Sequence, residues 1–426
     1  MHQLNLRKNS LIKSLALFGG STTAAQFIMM IYVLIVARVL GPTELGFFNS
    51  AYSLVGITAF FLNLGMDTWL LRKAGLYSDV TILSGKVLRI KAAIGIFWSL
   101  MLVVIAPMVR PDLYTVPMML ICSLDAWSDV CFNTEIQALN VQRRMKAITW
   151  LVLLSRGGRL LGLTILLLVG LESAVWFALT RALATFVGFA VATFFHRPKL
   201  SSKLPISTKE VLSESLPFGV SEFLSLIYTN IDVTILAWMA GKTAVGLYSP
   251  ASGIIHALFV IPNAMFSVMV PIMTKLGANS IQRFRSSLRS LFLSFIALGL
   301  VMWLAVGLLG NWVMPWLLGD EYQFSGRILA ILSSILFFKS IGFACAIVLV
   351  SVGWQHKRLL PQLISAVFNI TANIVLIPKF GIEAVAWVYV ISEFILAVAY
   401  GWITIQWIRS GIFEHNEKQG ANVPRD

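Results

Sequence analysis

The sequence predicts an all-α polytopic membrane protein with about twelve transmembrane helices, and three observations lead to this fold class. Of the 426 residues, 58% are hydrophobic and only 12% are charged, and the mean hydropathy is +0.83. A soluble domain carries about twice that share of charged residues. The apolar residues come in runs of roughly 20, the length that a helix needs to cross a hydrocarbon core of about 30 Å. The third observation is the distribution of the basic residues.

Most of the 33 Lys and Arg residues lie in every second loop, and the loops between them hold few. This positive-inside pattern predicts a multi-pass protein of the plasma (inner) membrane with both termini in the cytoplasm. The formal net charge of +14 then records orientation and contact with anionic lipid head groups, and no nucleic-acid partner is expected. The basic loops are residues 1–13, 72–91, 143–146, 197–209, 275–289, 357–358 and 409–426.

The alternation of loops divides the chain into two halves of six spans. We predict an N-terminal lobe at 1–197, a cytoplasmic linker at 198–213, a C-terminal lobe at 214–409 and a cytoplasmic tail at 410–426. The predicted spans are 15–37, 46–70, 92–109, 116–138, 148–169, 174–195, 214–238, 248–271, 289–309, 327–351, 360–377 and 383–407.

An internal repeat supports the two halves. Ile31–Ala51 and Ile231–Ala251 are identical at eight of 21 aligned positions (Ile, Val, Ile, Ala, Gly, Thr, Gly and Ala). Six spans separate the copies, so both have the same orientation, and the two six-helix lobes are expected to be related by a pseudo-two-fold axis along the membrane normal. The residues expected to serve a tight turn and close helix packing are Gly41, Pro42, Gly46, Gly241 and Gly246.

Several classes of function are disfavoured. The sequence has no P-loop, no G-x-G-x-x-G after a strand, no H-E-x-x-H and no C-x-x-C, so we expect neither an ATP-driven pump nor a metalloenzyme. No predicted outside loop exceeds about 20 residues, which disfavours a membrane glycosyltransferase or polymerase. No catalytic residue, metal site or enzymatic activity is therefore expected. Cys122, Cys131 and Cys345 all lie in apolar spans and are predicted to be small core residues.

Three segments carry a family resemblance: Ala37–Phe47 (ARVLGPTELGF), Leu318–Leu332 (LGDEYQFSGRILAIL) and Asn369–Glu393 (NITANIVLIPKFGIEAVAWVYVISE). They resemble the polysaccharide transporter (Wzx-type O-antigen flippase) family of the multidrug/oligosaccharidyl-lipid/polysaccharide exporter superfamily. The chain departs from many members in having twelve spans rather than fourteen. Its second outer loop also has Ala240 and Lys242 where the first has Leu40 and Pro42.

The resemblance implies a flippase that moves a polyprenyl-diphosphate-linked oligosaccharide, such as an O-antigen, capsule or exopolysaccharide repeat unit, to the outer leaflet by alternating access. The partners it implies are this substrate, membrane lipids and other polysaccharide-assembly proteins. No cofactor is expected beyond Na⁺ or H⁺ used for coupling. The alternatives are a cation-coupled multidrug antiporter of the same superfamily and, from another class, a membrane glycosyltransferase or polymerase.

Cations at bilayer depth are the candidates for substrate binding, because charges there are costly. They are Arg156, Arg159, Arg181 and Lys339, together with Arg38 beside the first outer loop. Arginine suits a diphosphate because its fork binds phosphate oxygens bidentately. Alanine at position 156, 159 or 181 is expected to abolish glycan export and leave the protein level intact.

The alternative for these cations is structural pairing inside the membrane. Asp125 and Asp129 lie one turn apart on the fourth span, with Glu135 further in, and the first two match the depths of the arginines. Lys339 likewise matches the depth of Glu222 on the seventh span. Both interpretations remain open at this point.

A second set of polar residues is the candidate site for ion coupling: Glu222, Asp232, Asn369, Asn373 and Glu393. Carboxylate and amide oxygens suit a hard cation such as Na⁺, and a carboxylate can also carry a proton. The alternative is that these groups satisfy one another as polar contacts between helices.

Overall fold

The computed structural model describes the backbone of residues 2–74, 79–199 and 207–410. It describes the side chains of residues 28–74, 79–199, 207–220, 223, 231–277, 280 and 282–409. Within these ranges the chain is almost entirely helical, and they contain no β-strand. Apart from the backbone of residue 410, the predicted tail at 410–426 lies outside the described residues.

Thirteen α-helices make up the described chain. Short 3-10 helices at Asp320–Tyr322 and Gln355–Arg358 precede α11 and α12. The α-helices are α1 His2–Thr58, α2 Phe60–Asn63, α3 Met66–Lys73, α4 Val80–Val109, α5 Val116–Val141, α6 Met145–Val169, α7 Ala174–His196, α8 Thr208–Leu258, α9 Val260–Asn279, α10 Ile281–Leu318, α11 Gln323–Ser351, α12 Leu359–Phe380 and α13 Ile382–Ser410.

The helices account for the predicted membrane crossings. Nine helical stretches in the described part of the chain are long and apolar enough to cross a membrane. Two of them, Ile28–Lys73 and Ile231–Gly277, are 46 and 47 residues long, which is enough for two crossings each. α5 coincides with the predicted fourth span, but it carries three acidic residues and is not one of the nine stretches. The chain is a multi-pass membrane protein with about twelve crossings, and the predicted fold class is confirmed.

The two copies of the repeat form two kinks of the same geometry. Gly41 interrupts α1 with φ 67° and ψ 174°, and Gly241 interrupts α8 with φ 80° and ψ 178°. Both positions need glycine, because a positive φ is strained for a residue with a Cβ atom. The burial classes of residues 41–50 and 241–250 agree at nine of ten positions. The sequence repeat is therefore also a structural repeat.

The residues divide into two compact units. The first comprises Met1–Pro250 and Leu317–Glu321. Within it, α5 packs on α4 and α7, and α6 packs on α7 and α1. One of its apolar clusters joins α3, α4, α5 and the start of α8, with Trp69, Val87 and Val211 at its centre.

The second unit comprises Ala251–Trp316 and Tyr322–Asp426. Within it, α11 packs on α9 and α13, and α12 packs on α13. Its apolar core includes Phe284, Phe295, Ile347 and Trp407, all buried. The boundaries of the two six-helix lobes and of the linker stay predictions.

The second and third predicted spans differ from the structure at their adjoining ends, which are predicted to be cytoplasmic. The third span was expected to begin at residue 92, but α4 begins at Val80, so Lys91 lies inside a helix and not in a basic loop. The second span is broken at Leu64 and Gly65, which have left-handed φ values of 43° and 75°. This break separates α2 from α3 and turns the chain before Met66.

Candidate functional site

The candidate site in the first unit is an arginine cluster formed by α5, α6 and α7. α5 supplies Asp125 and Asp129, one turn apart. Close packing brings the other two helices together: a Cβ on Gly162 of α6 would lie 2.9 Å from the Cβ of Thr180 on α7. Small residues at such an interface let two helices approach closely in a membrane. The members of the arginine cluster are Asp125, Asp129, Arg156, Arg159 and Arg181.

Each arginine of the cluster lies against an aspartate. Arg181 Nε is 2.9 Å from Asp125 Oδ2, and Arg156 Nη2 is 3.8 Å from Asp129 Oδ1. Arg159 Nη2 lies between the two acids, 3.4 Å from Asp129 Oδ1 and 3.9 Å from Asp125 Oδ1. Three cations against two anions leave a formal charge of +1. The cluster is therefore paired and still has a surplus positive charge.

Exposure separates the arginines into two kinds. The side chain of Arg159 is 2% exposed, whereas those of Arg156 and Arg181 are 28% and 24% exposed. Arg159 also donates to Thr185 Oγ1 at 2.8 Å and lies 3.8 Å from Met29 Sδ. The guanidinium of Arg181 stacks over the ring of Tyr52 at 3.9 Å. Arg156 and Arg181 can meet a ligand, while Arg159 is enclosed by protein groups.

The other sequence-predicted members of this set lie elsewhere in the first unit. Glu135 is fully buried, accepts a hydrogen bond from Thr193 at 3.2 Å and lies 3.9 Å from the His196 ring. Among the described residues, the basic side chain beside Glu135 is this histidine, which is charged only when it is protonated, and not an arginine. Arg38 is exposed and donates to the carbonyl of Leu317 at 3.2 Å.

The candidate ion-coupling residues separate into two groups. In the second unit, Asn373 donates to Asn369 Oδ1 at 3.0 Å, and Asn369 donates to Ser392 Oγ at 3.3 Å. All three side chains are buried. Among the described residues, none donates a hydrogen bond to the buried Asn373 Oδ1. This oxygen is an available ligand for a cation or a proton donor.

Lys339 and Glu393, the lysine pair, lie in the same unit. Their ammonium and carboxylate groups are 2.5 Å apart, and the Lys339 ammonium also lies 5.2 Å from the centre of the Phe259 ring. Depth along the spans predicts Glu222 as the partner of Lys339. The side chain of Glu222 lies outside the described residues. The lysine pair joins α11 to α13.

Asp232 lies in the first unit and has protein partners. Its carboxylate accepts hydrogen bonds from the Tyr248 hydroxyl at 2.6 Å and from the Val233 amide at 2.8 Å. Tyr248 lies beyond the Gly241 kink, so this bond ties together the two segments of α8. An ion-coupling role of Asp232 stays a prediction.

Sequence reasoning missed a buried triad in the first unit. The ammonium of Lys91, which has no exposed surface, donates to Asp67 Oδ1 at 2.8 Å and to Thr134 Oγ1 at 2.6 Å. Thr134 in turn donates to Asp67 at 2.7 Å. The triad holds α3 against α4 and α5. In the sequence, the triad is indicated only by the positions of Asp67 and Lys91, which each lie within a few residues of the end of an apolar run.

Two ion pairs among the described residues lie outside the membrane-spanning stretches. Hydrogen bonds from Lys199 and Thr81 lower the pKa of Asp79 to about 2. A hydrogen bond from Arg110 also lowers the pKa of Asp112. These carboxylates are anionic across the physiological range.

The sequence predicts neither a disulfide nor a metal site. The structure describes most of the residues that this prediction concerns. Cys122, Cys131 and Cys345 are buried free thiols. Within the described ranges, no group of three or more His, Cys, Asp or Glu residues is placed to hold a metal ion.

Comparison with known families and curated proteins gives two matches. A family model described as polysaccharide biosynthesis protein matches residues 11–277, more than half of the chain. The capsular polysaccharide biosynthesis protein CapF of Staphylococcus aureus is 24% identical over 193 residues, which cover 45% of this chain and 49% of CapF. The match thus spans about half the length of that curated relative.

Two solved transporter structures are similar over most of the chain. The inward-facing conformation of a multidrug resistance MATE family transporter of the MOP superfamily has a TM-score of 0.74 at 16% identity, covering 92% of this chain and 96% of that one. The lipid II flippase MurJ in an inward closed conformation has a TM-score of 0.72 at 14% identity, covering 90% of this chain and 86% of that one. At these identities the likeness establishes the fold alone.

Proposed function

The chain belongs to the polysaccharide biosynthesis protein family, and we propose that it is a flippase for a polyprenyl-diphosphate-linked oligosaccharide. It moves its substrate from the cytoplasmic to the outer leaflet of the inner membrane by alternating access, with both termini in the cytoplasm. The observation that carries the proposal is the arginine cluster, which has a surplus positive charge and two partly exposed arginine side chains at positions predicted to lie at bilayer depth.

The chemistry of the substrate fits this cluster. A diphosphate presents several anionic oxygens, and arginine binds such oxygens through two parallel hydrogen bonds. Arg156 and Arg181 receive these oxygens. Asp125 and Asp129 hold the arginine side chains in place before the substrate arrives, which reduces the entropy lost on binding. The transport cycle needs no covalent step.

The second unit supplies the coupling ion in this proposal. Asn369, Asn373 and Glu393 offer oxygen atoms suited to Na⁺, and Glu393 can instead take up H⁺. Because Lys339 occupies the Glu393 carboxylate, the ion competes with this ammonium. Binding of the ion then breaks the lysine pair and links occupancy to a conformational change.

The alternative in the same superfamily is a cation-coupled multidrug antiporter. The surplus positive charge of the arginine cluster disfavours it, because a cationic drug would be repelled there. The assembly proteins that make or polymerise the glycan are the expected partners of the flippase.

Deletion of the gene tests the proposal. Cells without the protein should accumulate the lipid-linked glycan in the inner leaflet, where added glycan-modifying enzymes cannot reach it, and the wild-type gene should clear it. The Arg156→Gln/Arg181→Gln variant, present at the wild-type level, should not. Absence of accumulation in the deletion strain would overturn the proposed function.

A further inference from the structure

A tyrosine ring lies against one of the two partly exposed arginines of the arginine cluster. The centre of the Tyr52 ring is 3.9 Å from Cζ of Arg181. A cation is attracted to the face of an aromatic ring within about 6 Å of its centre. On another side, Arg181 Nε lies 2.9 Å from Asp125 Oδ2. The Arg181 guanidinium is therefore held by a carboxylate and by a ring at the same time.

The predicted topology brings these two side chains to the same depth in the membrane. Tyr52 is the seventh residue of the predicted span 46–70, and Arg181 is the eighth residue of the predicted span 174–195. Both spans are predicted to begin at the outer face. At about 1.5 Å per residue, both side chains lie about 10 Å below that face. The contact in the structure therefore agrees with the depths that the sequence predicts.

A second tyrosine of α1 contacts the preceding turn of α7. The hydroxyl of Tyr32 donates to the carbonyl of Phe177 at 3.4 Å. Phe177 precedes Arg181 by four residues, which is about one helical turn. Tyr32 precedes the Gly41 kink of α1, and Tyr52 follows it. Both segments of α1 therefore contact α7 within one turn of the arginine, which fixes the backbone that carries its side chain.

The kink of the repeat does not require the Tyr52 ring. The second copy has Ser252 at the position equivalent to Tyr52. The backbone angles at Gly241 nevertheless match those at Gly41. The aromatic side chain is thus a feature of the copy that lies beside the arginine cluster, and its role is to be sought there.

A ring against a guanidinium restrains it without using its hydrogen bonds. The N–H bonds of a guanidinium lie in its plane, so a ring over one face leaves them available to a ligand. A restrained side chain also loses less entropy when it binds. Arg156 is held less closely, because its Nη2 lies 3.8 Å from Asp129 Oδ1. Of the two partly exposed arginines, Arg181 is therefore the one with the better fixed orientation.

We propose that Tyr52 is a positioning residue that orients Arg181 towards the diphosphate of the substrate. This inference deepens the proposed function and rests on it. A diphosphate can contact Arg156 and Arg181 together, so the direction of the Arg181 N–H bonds affects how well it binds. A monophosphate can bind Arg156 alone and depends less on that direction. Tyr52 thus contributes to the choice between the two carriers through Arg181.

Substitutions that remove or keep the ring test the proposal in proteoliposomes. Tyr52→Leu should raise the KM for a polyprenyl-diphosphate-linked glycan at least about fivefold, which corresponds to about 1 kcal/mol. Its maximal rate, and its KM for the same glycan on a polyprenyl monophosphate, should stay within about twofold of the wild type. Tyr52→Phe keeps the ring and should restore the wild-type KM. Tyr52→Met should behave as Tyr52→Leu does, so the test does not depend on one variant.

Phe60→Leu is the matched control. It removes a ring from α2, the next helix, where Phe60 contacts the rings of Phe61 and Phe223 at 5.3 and 4.5 Å. It should leave the preference between the carriers unchanged. The proposal would be overturned by an equal rise in KM for both carriers in Tyr52→Leu, or by the same loss of preference in Phe60→Leu.

A double-mutant cycle tests whether Tyr52 acts through Arg181. Contacting residues are not additive, so Tyr52→Leu should raise the KM of an Arg181→Gln protein by less than about twofold. The ring then has no guanidinium left to orient. If the two substitutions instead multiplied their separate effects, the ring would act elsewhere and the proposal would be wrong.

Chemical modification tests the contact without any substrate. Phenylglyoxal reacts with guanidinium groups, and mass spectrometry of the treated full chain measures the rate at each arginine. Arg181 should react at least about threefold faster in Tyr52→Leu than in the wild type or Tyr52→Phe, because the ring no longer restrains and covers it. Arg156 should keep its rate. Equal rates at Arg181 in all three proteins would overturn the positioning role, whereas a wild-type protein that moves neither carrier would overturn the proposed function instead.

Discussion

The first unit places three arginines against two aspartates, whereas the second unit places one lysine against one glutamate. The arginine cluster keeps a surplus charge, and two of its arginine side chains are about a quarter exposed. The lysine pair is neutral overall, and its glutamate is 3% exposed. The difference teaches that charges at bilayer depth can serve two tasks: a surplus can attract an anionic substrate, while a balanced pair can open when a small ion competes for it.

The largest effect is expected from Arg159→Met. This substitution leaves Asp125 and Asp129 without the guanidinium that lies between them. Removing one member of a buried ion pair costs about 3–5 kcal/mol. The variant should therefore show a much lower protein level and a lower unfolding temperature in detergent.

The control for Arg159→Met is Arg159→Lys, which keeps a cation between the two aspartates and should recover part of the lost stability. If the Arg159→Met protein were as abundant and as stable as the wild type, this would contradict the stabilising role of Arg159 between the two aspartates. The sequence predicts that loss of Arg159 leaves the protein level intact. The burial of Arg159 in the structure instead predicts a lower protein level.

A smaller effect on transport is expected from Arg156 and Arg181. Arg181→Gln removes a charge-assisted contact worth about 1.5–3 kcal/mol, so export should fall roughly 10- to 100-fold. Arg181→Lys keeps the positive charge but loses the planar guanidinium that can donate two parallel hydrogen bonds. Its export should therefore lie between that of the wild type and that of Arg181→Gln. The measurement is the apparent affinity for the lipid-linked glycan at matched protein levels. If Arg156→Gln and Arg181→Gln both bound the glycan with wild-type affinity, the proposed difference between the arginine cluster and the lysine pair would be contradicted.

A double-mutant cycle sharpens the comparison from the side of the second unit. Lys339→Gln and Glu393→Gln each leave one charge of a close pair behind, so each should reduce transport and stability. The double variant should recover stability with a coupling energy of about 0.5–3 kcal/mol, because contacting residues are not additive. Its transport should remain reduced, because the double variant still lacks the groups proposed to hold the coupling ion. Strict additivity would show that the pair does not act as a unit.

The smallest effect is expected at the membrane surface, where Asp79 and Lys199 form a solvent-exposed reference pair. The pKa of Asp79 is about 2 in the folded protein, below its ordinary value of 3.8. Asp79 therefore contributes stability above about pH 4, and this contribution is lost as the pH falls towards 2. Asp79→Asn should make the unfolding temperature less dependent on pH in this range. An unchanged pH profile would show that the pair contributes nothing, as is common for surface pairs.

The sequence predicts the features that recur at a regular spacing or occur in both copies of the repeat. Hydropathy and the alternation of basic loops predict the twelve crossings, and the copied glycines predict tight turns at the two positions where the structure has kinks, Gly41 and Gly241. Counting depth along the spans also placed Asp125 and Asp129 level with the arginines that they contact.

The features that the sequence missed depend on breaks in helices. Lys91 resembles a loop cation until the turn at Leu64 and Gly65 brings Asp67 against it. Asp232 resembles a free intramembrane carboxylate until the Gly241 kink brings Tyr248, sixteen residues later, within 2.6 Å. The position of a break does not fix which side chains meet across it, so neither contact could be predicted from spacing.

The central claim is that the arginine cluster recognises a diphosphate. The most direct measurement is transbilayer movement in proteoliposomes of one glycan on two carriers, a polyprenyl diphosphate and a polyprenyl monophosphate. The wild-type protein should move the diphosphate-linked glycan faster, and Arg156→Gln/Arg181→Gln should lose both this rate and the preference between carriers. Equal rates for the two carriers in the wild type, or an unchanged preference in the variant, would contradict the account.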